Sequence, residues 1–600
     1  MSPLARLNRY YWKYKHLFIP GLLCAVASAV FSILVPMVVR RAVDSIPHFI
    51  RIYQSFGDTG VRSYLFSSFG LTLLMFGLVI LGLSIVSGVF SFLMRQTVVV
   101  ASRHIEFDMR NELYGHLQRL SRAFYIDFST GDLITRSTSD IEQVRRYMGP
   151  AIMYLTRALV VVVTALIAML IISPRLTLFA VIPMPFLAVS VFVVARLVHV
   201  RSDRLQKQYS VLTTRVQEAL AGVRVVKAYT REQAELDEFS RESSTYRQRM
   251  LDLALVDSAF RPVFILLIGL STIIVVLVGG RLVVDGSISL GNIAEYIIYV
   301  ALMTWPVAAL GFVITMVQQA SASMKRLSQV LDSEPRITDS DTTDQSVKSI
   351  TGGIAFKDVG FQFSDDGRKI LDGVSFDIAP GKMLAIVGRT GSGKSTVVSM
   401  IPRLIDPTEG RVEVDGTDIR TIPIAVLRAS VGYVPQEVFL FSDSIGSNIG
   451  FGHAPAGDEE VRLAAAEAEL LDNILEFDEG FETQVGERGI AVSGGQKQRA
   501  SIARALIRQP GILVLDDALS AVDTSTERAI LHRLKKRLGS TTIVLVSHRV
   551  SAVLEADLIL VLDDGRIIER GTHSELLSVD GAYANLYRKQ LLEQEIEALN

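Results

Sequence analysis

The chain has 600 residues, of which 49% are hydrophobic and only 20% are charged. This composition excludes a disordered or collagen-like chain, and 61 Lys and Arg against 62 Asp and Glu leave no net field that would favour nucleic acid as a partner. The single cysteine, Cys24, excludes an intrachain disulfide and indicates neither a thiol nucleophile nor a zinc cluster.

The N-terminal half contains six uncharged or nearly uncharged stretches, which predict a membrane domain of residues 1–325. A helix of roughly 20 apolar residues crosses a bilayer core of about 30 Å, so each stretch is long enough to span the lipid bilayer. Six buried helices of a soluble protein are the alternative, but such long uncharged runs are rare in soluble cores. The predicted spans are residues 17–39, 66–94, 147–173, 176–195, 262–280 and 296–324.

Charge flanking the spans predicts their orientation. Four cations precede the first span, namely Arg6, Arg9, Lys13 and Lys15. We read that span as uncleaved, because no small-residue cleavage site follows a short apolar core. Cations favour the cytoplasmic side, and the intervals 95–146 and 196–261 are also rich in Arg and Lys. We therefore expect an integral protein of the cell (inner) membrane, with both termini and the C-terminal half in the cytoplasm.

The two inner intervals have few Gly residues and no Pro. This pattern predicts helices that run past the bilayer into the cytoplasm, interrupted at Gly131 and Gly222, with a short helix at each tip suited to contacting a soluble domain. An ordinary solvated loop is the alternative.

The C-terminal half begins after a polar linker, residues 326–350. Strand-like apolar runs then alternate with helical patterns over 351–590, which predicts an α/β domain with a largely parallel sheet. Residues 591–600 are predicted to form a solvated helix.

A phosphate-binding loop follows the strand-like run 383–387 and opens a helix at Thr396. Its residues are Gly388, Arg389, Thr390, Gly391, Ser392, Gly393, Lys394 and Ser395. Glycines allow backbone N–H groups to turn toward phosphate oxygens, and the helix N-terminus adds a favourable dipole. Lys394 is expected to reach the β- and γ-phosphates of ATP, and the Ser395 hydroxyl to ligate Mg²⁺.

A second element of the phosphate site is the apolar run 512–515, which ends in Asp516. Four apolar residues predict a buried strand, and Asp516 at its end is expected to hold the Mg²⁺ shell. Asp517 follows, where a carboxylate is suited to orienting the attacking water. Such a strand is weak evidence alone, but its position after the phosphate loop strengthens it.

Together these motifs resemble ABC exporters, in which a transmembrane and a nucleotide-binding domain are fused in one chain. Ser493, Gly494, Gly495 and Gln496 resemble the ABC signature, although Val492 stands where the family normally has Leu. Gln436 resembles the Q-loop glutamine and a further Mg²⁺ ligand, residues 520–523 the D-loop, and His548 the switch histidine. Phe363 occupies the place of the aromatic residue that stacks on adenine, usually Tyr.

The resemblance extends over nearly the whole chain. Residues 124–136 and 218–232 resemble the two coupling loops of the family, and 483–489 its exporter-specific loop. It implies a half-transporter that works as a dimer, in which two nucleotide domains close head to tail over two ATP molecules. Each site would combine one chain's phosphate loop with the other chain's signature, where Ser493, Gly494 and Gly495 bind the γ-phosphate.

One residue departs from the family pattern at a catalytic position. Asp517 stands where the family usually has a catalytic Glu. The carboxylate is one methylene shorter, and a retreat of about 1 Å costs on the order of a hundredfold in rate. The substitution resembles the degenerate half of heterodimeric multidrug exporters, so we expect a second, different half-transporter chain that supplies a Glu. A slow homodimer that uses Asp517 is the alternative, and the retained His548 favours it.

The sequence indicates ATP-driven export of amphipathic or hydrophobic compounds by alternating access. Lipid or peptide export, and an ATP-gated channel or regulatory subunit, are the alternatives. Four charges lie near or within spans, namely Arg157, Asp257, Arg261 and Glu295. Such charges often line a cavity, but Asp257 and Arg261 are also spaced to pair on one helix face. They identify no substrate.

Overall fold

The computed structural model describes residues 3–55, 60–363, 367–486 and 492–599, without the side chains at 3, 60, 260, 261, 308 and 593–599. The chain divides into two compact units. The first comprises Met1–Gln118 and Thr130–Ser333, and the second comprises Arg119–Ser129 and Glu334–Asn600.

The first unit is entirely helical in its described residues. Its α-helices are α1 Asn8–Lys13, α2 Lys15–Ser55, α3 Gly60–Leu117, α5 Thr130–Thr135, α6 Ile141–Arg146, α7 Ile152–Ile172, α8 Pro174–Val181, α9 Pro183–Ala221, α10 Val223–Ala228, α11 Glu232–Val284 and α12 Leu290–Leu331; α4, Arg122–Asp127, belongs to the second unit. A 3₁₀ turn, Pro3–Leu7, precedes α1, and π-helical turns at Arg136–Asp140 and Tyr147–Ala151 join α5, α6 and α7 into one continuous rod.

Six helical rods among the described residues are long and apolar enough to cross a membrane, and each contains one predicted span. Between 0% and 35% of each rod's most apolar stretch is buried within the chain. Leu74 and Leu78 of α3, for example, are 59% and 58% exposed. Soluble proteins rarely expose so much contiguous apolar surface, so this surface requires lipid or another chain to cover it. The predicted six-helix membrane class is confirmed.

The helices break close to where the sequence predicts, with one correction. Helix α9 ends at Ala221 and α10 begins at Val223, so Gly222 interrupts the second inner interval as expected. Gly131, in contrast, lies inside α5, and the first interval is interrupted by residues 118–121 and 128–129. Gly131 has open space around its Cα, so nothing there requires a glycine. The predicted short tip helices are α4 and α10.

A buried polar cluster joins α2 to the first turns of α12. The Glu295 side chain is fully buried, accepts a hydrogen bond from the Tyr299 hydroxyl at 2.9 Å and lies 3.4 Å from Arg40 Nη1. Asp44 accepts from the Gly291 amide at 2.7 Å. A buried carboxylate is tolerated only when it is paired and hydrogen-bonded, and this cluster meets both conditions.

The other predicted membrane charges differ in surroundings. Arg157 is half-buried and lies 3.5 Å from the Ser91 hydroxyl, whereas Asp257 is exposed. The Arg261 side chain lies outside the description, so its pairing with Asp257 stays a prediction.

The second unit is an α/β domain, as predicted. Its strands are β1 Ile354–Phe361, β2 Leu371–Ile378, β3 Met383–Gly388, β4 Glu409–Val414, β5 Thr417–Asp418, β6 Val431–Val434, β7 Ile512–Asp516, β8 Thr542–Val546, β9 Leu558–Asp563 and β10 Arg566–Gly571. Its helices after α4 are α13 Lys394–Met400, α14 Ile424–Ser430, α15 Ile445–Gly450, α16 Asp458–Glu467, α17 Leu471–Leu475, α18 Gly494–Leu506, α19 Thr524–Lys535, α20 His573–Ser578 and α21 Ala582–Leu599, with 3₁₀ turns at Gly480–Glu482 and Val550–Ala552.

Two sheets form this unit. The smaller is antiparallel in the order β2-β1-β4-β5, and the larger has the order β10-β9-β3-β8-β7-β6. In the larger sheet β9, β3, β8, β7 and β6 run parallel, and only the edge strand β10 is antiparallel. Every residue of β3, β7 and β8 is buried, as expected for parallel strands covered on both faces.

Three predicted boundaries shift in the structure. Helix α12 continues to Leu331, six residues into the predicted linker, and α21 begins at Ala582 rather than at residue 591. Helix α13 begins at Lys394, ahead of Thr396. These shifts have a common cause, since helix ends follow caps and packing that periodicity alone does not locate. Glu487, Arg488 and Gly489 of the predicted exporter loop lie outside the described residues.

We predict that Gly291→Ala destabilises the membrane unit. A Cβ at this position would lie 2.3 Å from the Arg40 carbonyl oxygen and 2.7 Å from Asp44 Oδ1, and a backbone oxygen cannot turn away. Overpacking of this kind costs about 1–3 kcal/mol, so the apparent melting temperature in detergent is expected to fall by several degrees. Gly77→Ala is the control, because its Cβ meets no atom of the chain within 4 Å. Equal melting temperatures for the two variants would contradict the packing described.

Candidate functional site

The site lies where parallel strands of the larger sheet end together. Ile386 of β3 pairs with Val546 of β8, and Val546 pairs in turn with Asp516 of β7. Leu515 of β7 pairs with Val434 of β6. Because parallel strands share one carboxyl edge, the residues that follow them are brought together even though they are far apart in the chain. This register places the phosphate loop, the acidic pair, Gln436 and His548 at one edge.

The phosphate loop depends on glycine at two positions. Gly388 has φ +152°, and a Cβ there would lie 2.1 Å from the carbonyl oxygen of Leu562. Gly393 has φ +98° and precedes the first residue of α13, where a Cβ would lie 2.7 Å from a Leu371 methyl. The loop therefore packs against β9 and β2 so closely that a side chain at either position would collide with its neighbours.

Lys394 is held inside this loop. Its Nζ donates to the carbonyl oxygens of Gly388 at 3.0 Å and Arg389 at 2.7 Å, and the residue is only 5% exposed. Burial lowers the pKa of Lys394, while the charges of Asp517 and Asp516 act in the opposite direction. The ammonium is thus pre-oriented beside two carboxylates, at the position from which the family's lysine binds phosphate.

Ser395 and Asp516 are joined by a hydrogen bond beside the phosphate loop. The Ser395 hydroxyl donates to Asp516 Oδ1 at 3.0 Å, and Asp516 is only 3% exposed. Burial raises the pKa of Asp516, the Ser395 hydrogen bond lowers it, and the charge of Asp517 raises it further. A divalent cation bound here would relieve that repulsion.

The donor set at this site suits Mg²⁺. No group of three or more His, Cys, Asp and Glu capable of holding a metal occurs among the residues that were described. Hydroxyl, amide and carboxylate oxygens are present instead, and Mg²⁺ typically takes one or two protein oxygens together with phosphates and water. Ser395, Asp516 and Gln436 therefore fit a cation that arrives with a nucleotide.

Asp517 stands in a fixed and unusual backbone conformation. Its φ is +49°, which is uncommon for a residue other than glycine, and its amide donates to the Val546 carbonyl at 3.0 Å. Its carbonyl accepts from the Ser520 hydroxyl at 2.9 Å. Such conformations persist only where the surroundings impose them, and they concentrate at active sites. The backbone that carries this carboxylate is therefore tied to β8 and to Ser520.

One cavity of about 250 Å³ gathers most of the predicted site residues. The predicted residues that line it are Thr390, Gly391, Gly393, Lys394, Ser395, Thr396, Gln436, Asp516, Asp517 and His548. Gly388, Arg389 and Ser392 complete the loop behind this wall. The arrangement brings an ammonium, a hydroxyl, two carboxylates and an imidazole around one space, which is the set of groups that phosphoryl transfer to water uses.

The predicted signature residues do not line this cavity. Ser493 caps α18, where its hydroxyl accepts from the Gln496 amide at 3.3 Å and the Gln496 side chain accepts from the Ser493 amide at 2.9 Å. Gly494 and Gly495 form the first turn, and Ser493 and Gly494 are exposed. The turn that opens α18 is therefore exposed, and a helix N-terminus is a favourable place for an anion.

Phe363 also lies apart from the phosphate cavity. Its ring is 55% exposed and packs edge-on against Phe361, with centroids 5.0 Å apart. It lines a separate cavity of about 200 Å³ together with Ser121 and Ala123 beside α4. An exposed ring that is fixed on one edge has a free face for stacking.

Sequence reasoning missed two residues that connect site elements. Gln498 donates from Nε2 to the Ser520 hydroxyl at 3.0 Å and accepts from the Ala521 amide at 2.9 Å, which ties the signature helix α18 to the D-loop. Arg122 of α4 donates to the Ser399 hydroxyl at 3.4 Å, and its charge acts to lower the pKa of Asp516. No spacing pattern distinguishes either residue, because each acts through a partner distant in sequence.

Comparison with known families agrees with this division of the chain. Residues 17–307 match the ABC transporter transmembrane region, and residues 371–520 match the ABC transporter family of ATP-binding domains. The first match covers most of the first five apolar rods and the beginning of the sixth, and the second contains the phosphate loop, Gln436, the signature and the acidic pair.

Similar proteins share both halves in this order. The chain is 35% identical over 498 residues to the multidrug resistance-like ATP-binding protein MdlA of Escherichia coli, covering 83% of this chain and 84% of MdlA. It is 35% identical over 522 residues to an ATP-dependent lipid A-core flippase of Chromohalobacter salexigens, covering 87% and 90% of the two chains. The structure of a bacterial Atm1-family ABC exporter with ATP bound superposes with a TM-score of 0.77 at 27% identity, covering 96% of this chain and 99% of that one.

We predict that Lys394→Met weakens ATP binding. The substitution removes a buried ammonium that faces the cavity, and a hydrogen bond to a charged group contributes about 1.5–3 kcal/mol, so we expect affinity to fall roughly 10- to 150-fold. Equilibrium binding of a fluorescent ATP analogue to the detergent-purified protein measures this. Lys382→Met is the matched control, because Lys382 is exposed and pairs with Asp557 away from the cavity. Equal affinity in the two variants would contradict the assignment.

Proposed function

The chain belongs to the ABC transporters that fuse a six-helix transmembrane domain to an ATP-hydrolysing domain, and from that premise we propose that it is one half of a dimeric exporter. The observation that carries the proposal is the separation of the phosphate cavity from the signature turn at Ser493. A complete ATP site requires both parts, so a second chain must supply the signature for this cavity. ATP would then bridge the two chains, and its hydrolysis would remove the bridge.

Within the cavity we assign each side chain a role. Lys394 binds the β- and γ-phosphates, Ser395 and Asp516 hold Mg²⁺ with Gln436, and Asp517 orients the attacking water. His548, which lines the same cavity, contacts the γ-phosphate. The hydrogen bond between Ser395 and Asp516 supports a shared role in holding Mg²⁺, because it brings two oxygen ligands together. The Lys394 ammonium lines the same cavity and supplies positive charge for the phosphates.

The partner proposed for this chain is a different half-transporter with a catalytic Glu. The backbone of Asp517 is left-handed and hydrogen-bonded to Val546, and this tether opposes a shift of the chain that would compensate for the shorter side chain. The cavity of this chain would then be the weaker ATP site, and Ser493 with Gly494 and Gly495 would complete the stronger one. A homodimer that hydrolyses slowly with aspartate is the competing arrangement.

The proposed cargo is an amphipathic or hydrophobic compound. The name of MdlA refers to multidrug resistance, and the wide exposed apolar surface of the membrane rods suits ligands that enter from lipid. A lipid is the second candidate, because the Chromohalobacter relative is named as a lipid A-core flippase. In both cases alternating access would turn an inward-facing cavity outward. We place the ATP-binding domain and both termini in the cytoplasm, from the cations of the inner segments.

Uphill transport tests the function. In proteoliposomes with the ATP-binding domain outside, we expect an amphipathic fluorescent dye to accumulate inside above its outside concentration when ATP and Mg²⁺ are added. Lys394→Met is expected to abolish accumulation, whereas Lys382→Met is not. A fluorescent phospholipid in the same vesicles tests the lipid candidate. ATP-dependent equilibration of dye without accumulation would contradict a pump and indicate a channel.

We also predict that Asp517→Glu raises ATP turnover of the purified complex. The added methylene brings the carboxylate about 1 Å closer to its water. Where this distance limits the reaction, we expect the rate of ATP hydrolysis to rise by up to about a hundredfold. Asp563→Glu is the matched control, since Asp563 ends strand β9 of the same sheet and does not line the cavity. Unchanged turnover in Asp517→Glu would refute the weak-site proposal.

A further inference from the structure

The C-terminal helix α21 contacts the loop that carries His548. The side-chain amide of Gln590 donates from Nε2 to the His548 carbonyl oxygen at 2.5 Å, and its Oε1 accepts from the Val550 amide at 2.7 Å. The single side-chain amide of Gln590 therefore hydrogen-bonds to both a carbonyl oxygen and an N–H group of one backbone segment, as a neighbouring β-strand would. This leaves the His548 imidazole free of the contact and exposed toward the phosphate cavity.

The remaining contacts of this loop hold its neighbours rather than His548 itself. The Ser547 hydroxyl accepts from the Arg549 amide at 3.0 Å. The Arg549 guanidinium donates to Glu527 at 2.6 Å and to the Ser520 carbonyl at 3.2 Å. Arg549 thus fixes the loop to the D-loop side. The hydrogen bond to the His548 carbonyl oxygen comes instead from Gln590 of α21.

Helix α21 is itself held firmly against the sheet. The Glu569 carboxylate of β10 accepts from the Tyr583 amide at 3.0 Å, at the first turn of the helix. The Tyr583 side chain is fully buried, and its hydroxyl lies 2.8 Å from His573 Nδ1. Leu586 and Tyr587 pack against the core that contains Val550. Gln590 is therefore delivered to the loop by a helix with little freedom to move.

We propose that Gln590 is a positioning residue for ATP hydrolysis, which holds the His548 loop at the phosphate cavity. Helix α21 then belongs to the catalytic apparatus, although it lies outside the segments that match the family. The inference rests on the role assigned to His548 above. A side chain with one donor and one acceptor is required, because the His548 carbonyl needs a donor and the Val550 amide needs an acceptor.

Two substitutions separate this role from simple packing. Gln590→Leu keeps approximate volume and helix propensity but removes both hydrogen bonds. Gln590→Glu keeps the length and the acceptor for Val550, but its carboxylate cannot donate and repels the His548 carbonyl oxygen. Leu592→Ala on the same helix is the control, because Leu592 is 58% exposed.

The experiment measures ATP turnover of the full complex in nanodiscs, with Asp517→Glu introduced so that this cavity contributes. We expect both Gln590 variants to lower, about tenfold, the increase in kcat that Asp517→Glu brings, while KM for ATP stays within twofold. Leu592→Ala is expected to change neither quantity. Hydrogen exchange supplies the second readout, in which the peptide containing Val550 is expected to exchange faster in Gln590→Leu while the peptide containing β7 does not.

Three results would overturn the inference. The first is an unchanged kcat in both Gln590 variants, and the second is a loss of kcat/KM that comes entirely from a higher KM for ATP. The third is hydrogen exchange at Val550 that is the same in Gln590→Leu as in the unsubstituted chain. If Asp517→Glu brings no increase, the weak-site proposal fails separately. The Gln590 variants are then compared in the unmodified chain, where the same fall in kcat is expected and its absence overturns the role of Gln590.

Discussion

The parallel pairing of β3, β8, β7 and β6 is the constraint on which the rest of the site depends. It aligns Ile386, Val546, Asp516 and Val434 at one edge, and the side chains that line the phosphate cavity lie at these strand ends or in the segments that follow them. The strands are buried on both faces, so their register cannot slip without exposing apolar side chains to water. The loops that follow are thereby positioned by the hydrophobic core, and side chains such as Lys394 and Asp517 need few contacts of their own.

This organisation explains why the site is rigid on one side and open on the other. Gly388 and Asp517 have their backbones fixed by Leu562 and Val546, which places the phosphate loop and the acid beside each other. The turn at Ser493 does not line the phosphate cavity, and Gln498 ties helix α18 to Ser520 and Ala521. The exporter proposed above uses this separation, with the cavity serving one nucleotide and the exposed turn of α18 serving the nucleotide of a second chain.

Much of this architecture could be predicted from the sequence, because the signals are physical and local. The length of a membrane span follows from the thickness of the bilayer, and glycines placed just before a helix indicate the phosphate loop. Gly131 was a wrong prediction, since a glycine in a helix needs no break when its surroundings are open. Gln590 could not be predicted at all, because its function depends on a helix packed beside a loop some 40 positions earlier in the chain. Contacts of that range are visible only in three dimensions.

The central claim is that this chain forms one side of an asymmetric pair. The most direct test is native mass spectrometry of the complex that copurifies with the chain from its own membrane in mild detergent. We predict a complex that contains this 66.0 kDa chain and a second, different half-transporter with glutamate at the position of Asp517. A complex of two identical copies would contradict the claim, and both ATP sites would then depend on aspartate.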